Sequence, residues 1–300
     1  MKKATNLIIA MIILVLTACG GSPEVDIASI NTGVDPNTWV LVPAGEFLKG
    51  QHSHETMVDY DFEIMVTDVT NDQYAKYLNK ALEKGTIKII ENKVMGYYPG
   101  DPFQGYKHEF EIRAGDKLHV PLEEAGIHIS FDGKHFNVEK GYENHPVVMI
   151  TWFGAKAYAD FYGWRLPTEI EWEKAARGTD ARAYPWGDKI SRNQANYYHS
   201  GDEFEKKFGK QGSTTPVGYY NGNKYYDYQT LDGRSPYGLY DMAGNVWQWT
   251  GDDHPNVHLR YMRGGSKANY EYNLRVWARN SARPDFYSIN IGFRCARSAH

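Results

Sequence analysis

Beyond Gly178 this chain offers no stretch long enough for an extended helix. Short apolar pieces alternate with Gly, Asn, Asp and Pro as far as the C-terminus, and these residues interrupt helices and set turns. A core built from such text must use brief strands and irregular loops, with its helices drawn from the first half. That predicts an α+β domain with few regular elements and much irregular chain.

The helix signals are indeed early. Thr70-Asn71-Asp72-Gln73 is a capping box, and Tyr74, Tyr77, Leu78 and Leu82 follow at helical spacing. Thr151 can cap a second helix with Ala155, Tyr158, Ala159 and Tyr162 on one face, ending at Gly163. Thr168 and Glu171 form another capping box, opening a third helix that carries Trp172, Ala175 and Ala176 and stops at Gly178. Residues 39–42 and 43–48 read as two short strands around a turn. Residues 127–131 and 134–138 flank Asp132-Gly133, the signal of a tight hairpin. No internal repeat or long linker divides residues 38–300, which are expected to form one domain.

The N-terminus has a different character. Lys2 and Lys3 precede an apolar run over residues 7–16, then Leu16-Thr17-Ala18-Cys19. That run is about half of the ~20 residues a membrane-spanning helix needs, so residues 1–18 are expected to be a secretory signal. Leu16-Thr17-Ala18-Cys19 resembles a lipobox, which implies cleavage before Cys19 and lipidation of its thiol. Each buried acyl methylene adds ~0.8 kcal/mol, and two or more chains make attachment to a membrane stable. Gly20 rather than Asp after the lipid site points to the outer membrane of a bacterial envelope. Residues 19–37, rich in Gly, Ser, Pro, Asp and Asn, are expected to be a flexible tether.

With 33 basic and 37 acidic residues the formal net charge is −4, and no basic run follows the signal, so nucleic acid is not an expected partner. Aromatic residues reach 14%, suiting both a core and a surface that binds peptide or sugar. Of the two cysteines, Cys19 is assigned to lipid, leaving Cys295 without a disulfide partner.

Several ordered motifs then carry a resemblance. They are Val42-Pro43-Ala44-Gly45-Glu46-Phe47, His145-Pro146-Val147-Val148, Gly163-Trp164-Arg165-Leu166-Pro167-Thr168-Glu169, Tyr184-Pro185-Trp186-Gly187-Asp188, Thr215-Pro216-Val217-Gly218, Asp241-Met242-Ala243-Gly244-Asn245-Val246-Trp247-Gln248-Trp249, Arg263-Gly264-Gly265-Ser266 and Ile291-Gly292-Phe293-Arg294. In this order they resemble the formylglycine-generating enzyme, or sulfatase-modifying factor, family over residues 39–297, with a weak match near 85–140. The resemblance implies an elaborated C-type-lectin-like fold. Arg165 and Glu171 are expected as buried partners, and Gly264-Gly265 as a place of close backbone approach or positive φ.

In that family two thiolates hold Cu(I) for the oxidation of a sulfatase cysteine to formylglycine, soft ligands selecting the soft ion. The matching positions are Asn269 and Leu274, so no copper is expected. Cys295 is expected to be a small, inert, buried residue. The resemblance also implies a calcium site from the Asp241 and Gln248 side chains and the Gly244 and Val246 carbonyls. The competing reading is that Asp241 caps a turn and Gln248 satisfies neighbouring backbone. A second family calcium site would begin at Asn196 and Tyr197, but its distal Asp position is Gly209. The candidate pocket falls on Ser266, Asn269, Leu274, Trp277 and Arg279. Two functions stay open at this level. One is an envelope lipoprotein that binds or scaffolds a peptide, protein or glycan without generating formylglycine. The alternative is a periplasmic oxidoreductase acting on a peptide or siderophore-like substrate.

Overall fold

The structure, a computed structural model, describes residues 29–209, 213–254 and 257–299. The expected signal, the expected lipidation site at Cys19 and the expected tether up to residue 28 lie outside the described residues. The rest of the expected tether belongs to the domain. Ile30 is buried with Phe204, Tyr219 and Tyr220, and the Thr32 hydroxyl donates to the Val217 carbonyl at 2.9 Å. The packed domain therefore begins about eight residues before position 38, because apolar Ile30 and Val34 find partners far along the chain that local composition does not reveal.

In chain order the first strands are β1 (Trp39–Val42), β2 (Gly45–Lys49), β3 (His54–Val58) and β4 (Phe62–Met65), followed by helix α1 (Asn71–Glu83). Next come β5 (Ile87–Ile90), β6 (Lys93–Tyr98), β7 (Gly115–Pro121), β8 (Ile129–Phe131) and β9 (Phe136–Val138), then α2 (Trp152–Phe161), α3 (Glu169–Arg177) and α4 (Glu203–Phe208). The C-terminal part holds β10 (Lys224–Tyr225), β11 (Tyr228–Gln229), β12 (Trp247–Asp253), β13 (Arg260–Arg263), β14 (Arg279–Ala282), β15 (Ile291–Phe293) and β16 (Ala296–Ser298). No helix among the described residues is long and apolar enough to cross a membrane.

The first three helices start where their caps predict. Thr70 and Thr168 each close a full capping box, with Gln73 and Glu171 reaching back to the cap N–H, and Thr151 accepts from Gly154 N. The third helix ends at Gly178, whose φ of +78° suits glycine. The strand reading of residues 39–48 gains a qualification. β1 and β2 both form, but β1 pairs with β4 and β2 with β3, so they do not pair with each other. The predicted hairpin is β8–β9, and Asp132 Oδ1 accepts from the Lys134 and His135 amides in its turn.

Two sheets organise the domain. β4 lies between β1 and β16, bringing the first and last strands together, with Ile64 opposite both Val40 and Ala296. The larger sheet runs β14-β13-β12-β15, with β12 and β15 parallel and the other pairs antiparallel. One core lies between α1, α2 and the sheets. There Tyr74 stacks on Tyr158 at 5.7 Å, Tyr77 meets Tyr158 edge-on, and Phe293 packs against both Tyr74 and Tyr158. Each such pair adds roughly 0.5–1.5 kcal/mol beyond area burial. A second core gathers under α3 around Trp172, Leu239, Met242 and Val276.

Candidate functional site: a cationic cleft beside α3

On α3 the residues Glu169, Glu173 and Arg177 recur every four positions and so share one face. That face meets Arg263 of β13 rather than solvent. Arg263 Nε donates to Glu169 at 2.9 Å and its Nη2 to Glu173 at 2.8 Å, while Nη1 donates to the Val276 carbonyl at 3.0 Å. Arg279, at the start of β14, reaches Glu169 at 3.2 Å. Withdrawing these ions from water costs several kcal/mol each, a cost offset only by close, multiple hydrogen bonds. The two carboxylates obtain them, because the Gly50 amide also donates to Glu173.

Arg177 is less well provided for. Its Nη1 donates to the Leu48 and Gly50 carbonyls and lies 3.4 Å from Glu173, but its buried Nε and Nη2 have no hydrogen-bond partner among the described residues. Its guanidinium lies 5.1 Å from the Trp277 ring centre. Burial lowers its pKa below the usual guanidinium value, with Glu173 opposing the shift.

Above this network opens a cleft of about 510 Å³. Lys49, Gly50 and Gln51 form one wall, Glu173 and Arg263 the floor, and Tyr272, Asn273, Trp277, Ala278 and Arg279 the other wall. Arg275 sits against two of these residues, 4.8 Å from the Tyr272 ring centre and 5.7 Å from that of Trp277. A smaller cleft of about 350 Å³ between α1, Trp39 and Trp164 is lined by none of the five expected pocket residues.

Of the five expected pocket residues, the structure brings Trp277 and Arg279 to this cleft. Ser266, Asn269 and Leu274 go elsewhere. Asn269 Oδ1 accepts from both the amide and the hydroxyl of Ser266, at 3.0 and 2.8 Å, and the Asn269 amide returns a bond to the Ser266 carbonyl. Leu274 is fully buried among Tyr184, Ala195, Tyr197 and Ala243. Gly265, with φ +72°, explains the tight fit there, since a Cβ on it would lie 2.8 Å from the Asn273 carbonyl. The two positions that carry thiolates in formylglycine-generating enzymes thus hold a turn-closing amide and a core hydrocarbon, a donor set that does not fit Cu(I). Cys295 is fully buried, and burial pushes its thiol pKa well up, away from the reactive thiolate.

Sequence reading missed Glu173 and Arg263 as cleft components, and Glu169 and Arg177 as their buried neighbours. The available signal was Glu169, Glu173 and Arg177 at helical spacing opposite a motif arginine, but charges on a helix face usually mark solvent.

The side chains expected as calcium ligands make hydrogen bonds within the fold. Gln248 Oε1 accepts from Trp172 Nε1 at 2.7 Å and from Arg294 Nε at 2.8 Å, and its Nε2 donates to the Asp241 carbonyl. Asp241 has φ +56° and its carboxylate accepts from the Gly218 amide at 2.7 Å. Gly244 and Val246 lie in the same buried segment, with the Gly244 amide bonded to the Gly264 carbonyl. A cation already adjoins these side chains, namely the buried Arg294 guanidinium, so a dication would compete with it for the Gln248 oxygen. Burial raises the Asp241 pKa to about 6, against the pull of the Gly218 amide and Arg294. In the second segment Asn196 donates to the Ser213 carbonyl and to Asn245, another structural use. Arg165 and Glu171 do form the expected pair, two parallel bonds at 2.6 and 2.5 Å, although only the Glu171 end is fully buried.

Comparison with known proteins agrees with this architecture. The family described as sulfatase-modifying factor enzyme 1-like domain matches residues 28–299. Serine/threonine-protein kinase pkn1 of Chlamydia caviae is 30% identical over 285 residues, 86% of this chain and 37% of that protein. Inactive C-alpha-formylglycine-generating enzyme 2 of Bos taurus is 37% identical over 166 residues, 51% of this chain and 50% of that one. This chain therefore spans about two fifths to half the length of these relatives. Among solved structures, CarF shares the fold with a TM-score of 0.58 at 22% identity, covering 89% of this chain and 100% of its own. With its matched length, its ordered motifs and its fold in agreement, the chain belongs to the sulfatase-modifying factor enzyme 1-like family.

Proposed function

We propose that this protein is an envelope lipoprotein, anchored through Cys19, whose domain binds a ligand at the α3 cleft and does not generate formylglycine. One observation carries the catalytic half of the reading. Asn269 and Leu274 are not only non-thiolate but are each committed to the fold, one closing a turn and the other filling a core. The relative named inactive C-alpha-formylglycine-generating enzyme 2 supports a role for this domain outside that reaction. The cleft, lined by Lys49, Arg263 and Arg279 and with Tyr272 and Trp277 in its wall, supports the binding half.

The decisive assay gives the copper-loaded, reduced domain a Cys-containing sulfatase peptide and follows thiol-to-aldehyde conversion by mass spectrometry. No conversion is expected. Turnover that Cys295→Ser abolishes would make the buried cysteine a ligand, and turnover that survives that change would overturn the reading itself. For the anchor, Cys19→Ser is expected to block lipoprotein processing and release the chain from the membrane fraction. Unchanged processing and fractionation would remove the lipid from the proposal.

A further inference from the structure

The charges around the cleft do not balance. Lys49, Arg263, Arg275 and Arg279 are four cations against the two carboxylates of Glu169 and Glu173, an excess of two. Both carboxylates are already consumed by Arg263 and by the Gly50 amide. Lys49 and Arg275 have no ion-pair partner among the described residues, and Arg279, more than half exposed, spends one nitrogen on Glu169. Arg275 also sits between two rings of the wall, Tyr272 and Trp277, with no hydrogen bond or ion pair of its side chain among the described residues. A guanidinium held in this way is suited to two parallel hydrogen bonds with a carboxylate.

Arg279 is also the first residue of β14, which runs from the cleft as the edge strand of its sheet. Among the described residues β14 pairs only with β13, and the Ser281 amide donates to the neighbouring Asn280 side chain at 2.8 Å rather than to another strand. An edge of this kind can take an extended chain through main-chain hydrogen bonds, with alternate side chains of that chain turned to one face. A saccharide of the same charge would satisfy the arginines but would gain nothing from the strand edge.

We propose that the cleft beside α3 binds an acidic peptide segment in extended form, its carboxylates on Arg275, Arg279 and Lys49 and its main chain along β14. This rests on the reading of the domain as a binding module and names the class of its partner. The site is separate from Asn269 and Leu274, where the family places its chemistry.

The test is fluorescence anisotropy with the purified full chain and a labelled hexapeptide alternating Thr and Glu. Its controls are the Thr/Gln peptide, an acidic peptide N-methylated on alternate amides, and an oligogalacturonate competitor. Saturable binding is expected, at least tenfold weaker for the Gln peptide, for the N-methylated peptide, and for Arg275→Gln or Arg279→Gln, and weakening with salt. An unchanged melting curve for Arg279→Gln, a substitution at an exposed side chain, separates loss of binding from loss of fold. Equal affinity for the Gln peptide, or indifference to both arginine changes, would overturn the proposal. Tight oligogalacturonate binding with no effect of N-methylation would replace the peptide with a glycan. If no acidic peptide binds while the sulfatase peptide also stays unconverted, the acidic-peptide assignment fails and the non-catalytic reading stands.

Discussion

Arg263 and Arg294 are both withdrawn from water, yet the two regions that hold them satisfy a buried guanidinium in opposite ways. Arg294 donates to the Met65, Val66 and Tyr240 carbonyls and to Gln248, with Asp68 at 3.5 Å. Four of its five partners are neutral, and three belong to the backbone. Arg263 faces two carboxylates on α3, and those carboxylates have further cations within reach in Arg177 and Arg279. Backbone carbonyls cannot retreat when their donor is lost, whereas side-chain carboxylates beside an open cleft can turn to other cations and to water. The Arg294 region therefore behaves as scaffold, and the Arg263 region as a charged surface that can rearrange around a ligand.

The largest effect is expected for Arg294→Met. It removes a donor from the Met65, Val66 and Tyr240 carbonyls and from Gln248, and it leaves the buried Asp68 without its counter-ion, a loss of about 4 kcal/mol on the scale of a broken buried pair. Urea unfolding measures it, and a loss below about 1 kcal/mol would mean that the region relaxes as readily as the cleft. Arg263→Met is expected to cost less, about 2 kcal/mol, because Arg177 and Arg279 still face Glu173 and Glu169. Adding Glu173→Gln to Arg263→Met should recover part of that loss. A double variant less stable than the single one would show that Glu173 is held by Gly50 and Arg177 more than by Arg263.

How much of this contrast could be read from sequence depends on the range over which each feature is specified. The caps at Thr70, Thr151 and Thr168 and the Asp132-Gly133 hairpin were legible because their signals lie within a few residues of the structure they set. α4 has a local signal too, since Asp202 accepts from the Glu205 amide and Gly209 ends the helix, but it is a single turn and a half with one buried side chain. The parallel pairing of β12 with β15, and the docking of Ile30 on Tyr219, join residues far apart and leave no local trace. In the site, Trp277 and Arg279 were reachable through the motif resemblance, while Ser266, Asn269 and Leu274 were drawn into the pocket only because they stand at catalytic positions of the family. The Arg294 contacts were illegible for a further reason: a guanidinium bound to carbonyls has no complementary charge in the sequence to announce it.

A smaller effect separates the regions by pH. An unfolded Asp titrates near 3.9, while burial raises Asp241 to about 6. Between those values the folded state binds more protons, so this group's contribution to stability falls as pH rises from about 4 to about 6, by on the order of 2 kcal/mol. Asp68 is raised by burial in the same sense. Asp241→Asn keeps an oxygen for the Gly218 amide and removes the titration, so unfolding free energies at pH 4.5 and 7 should differ less in the variant than in the parent. Identical pH dependence in the two would place the Asp241 carboxyl in contact with water.

Calcium should have the smallest effect of all, and the reason is again Arg294. The Gln248 oxygen lies 2.8 Å from Arg294 Nε and 2.7 Å from Trp172 Nε1, so a calcium ion could use it only by displacing both donors. The displaced guanidinium would remain buried beside a divalent charge, a like-charge contact that the pull of Asp241 and Asp68 would have to outweigh. Because a ligand stabilises a fold only through its preference for the native state, melting temperatures in chelator and in millimolar calcium are expected to agree within about 1 °C. A rise of several degrees that Asp241→Asn removes would require Arg294 to swing out of its carbonyl cage when the ion enters. In that case Arg294 would be the mobile cation of the pair and Arg263 the fixed one, and Arg294→Met should then bind calcium more tightly while losing far less stability than its five hydrogen-bond partners imply.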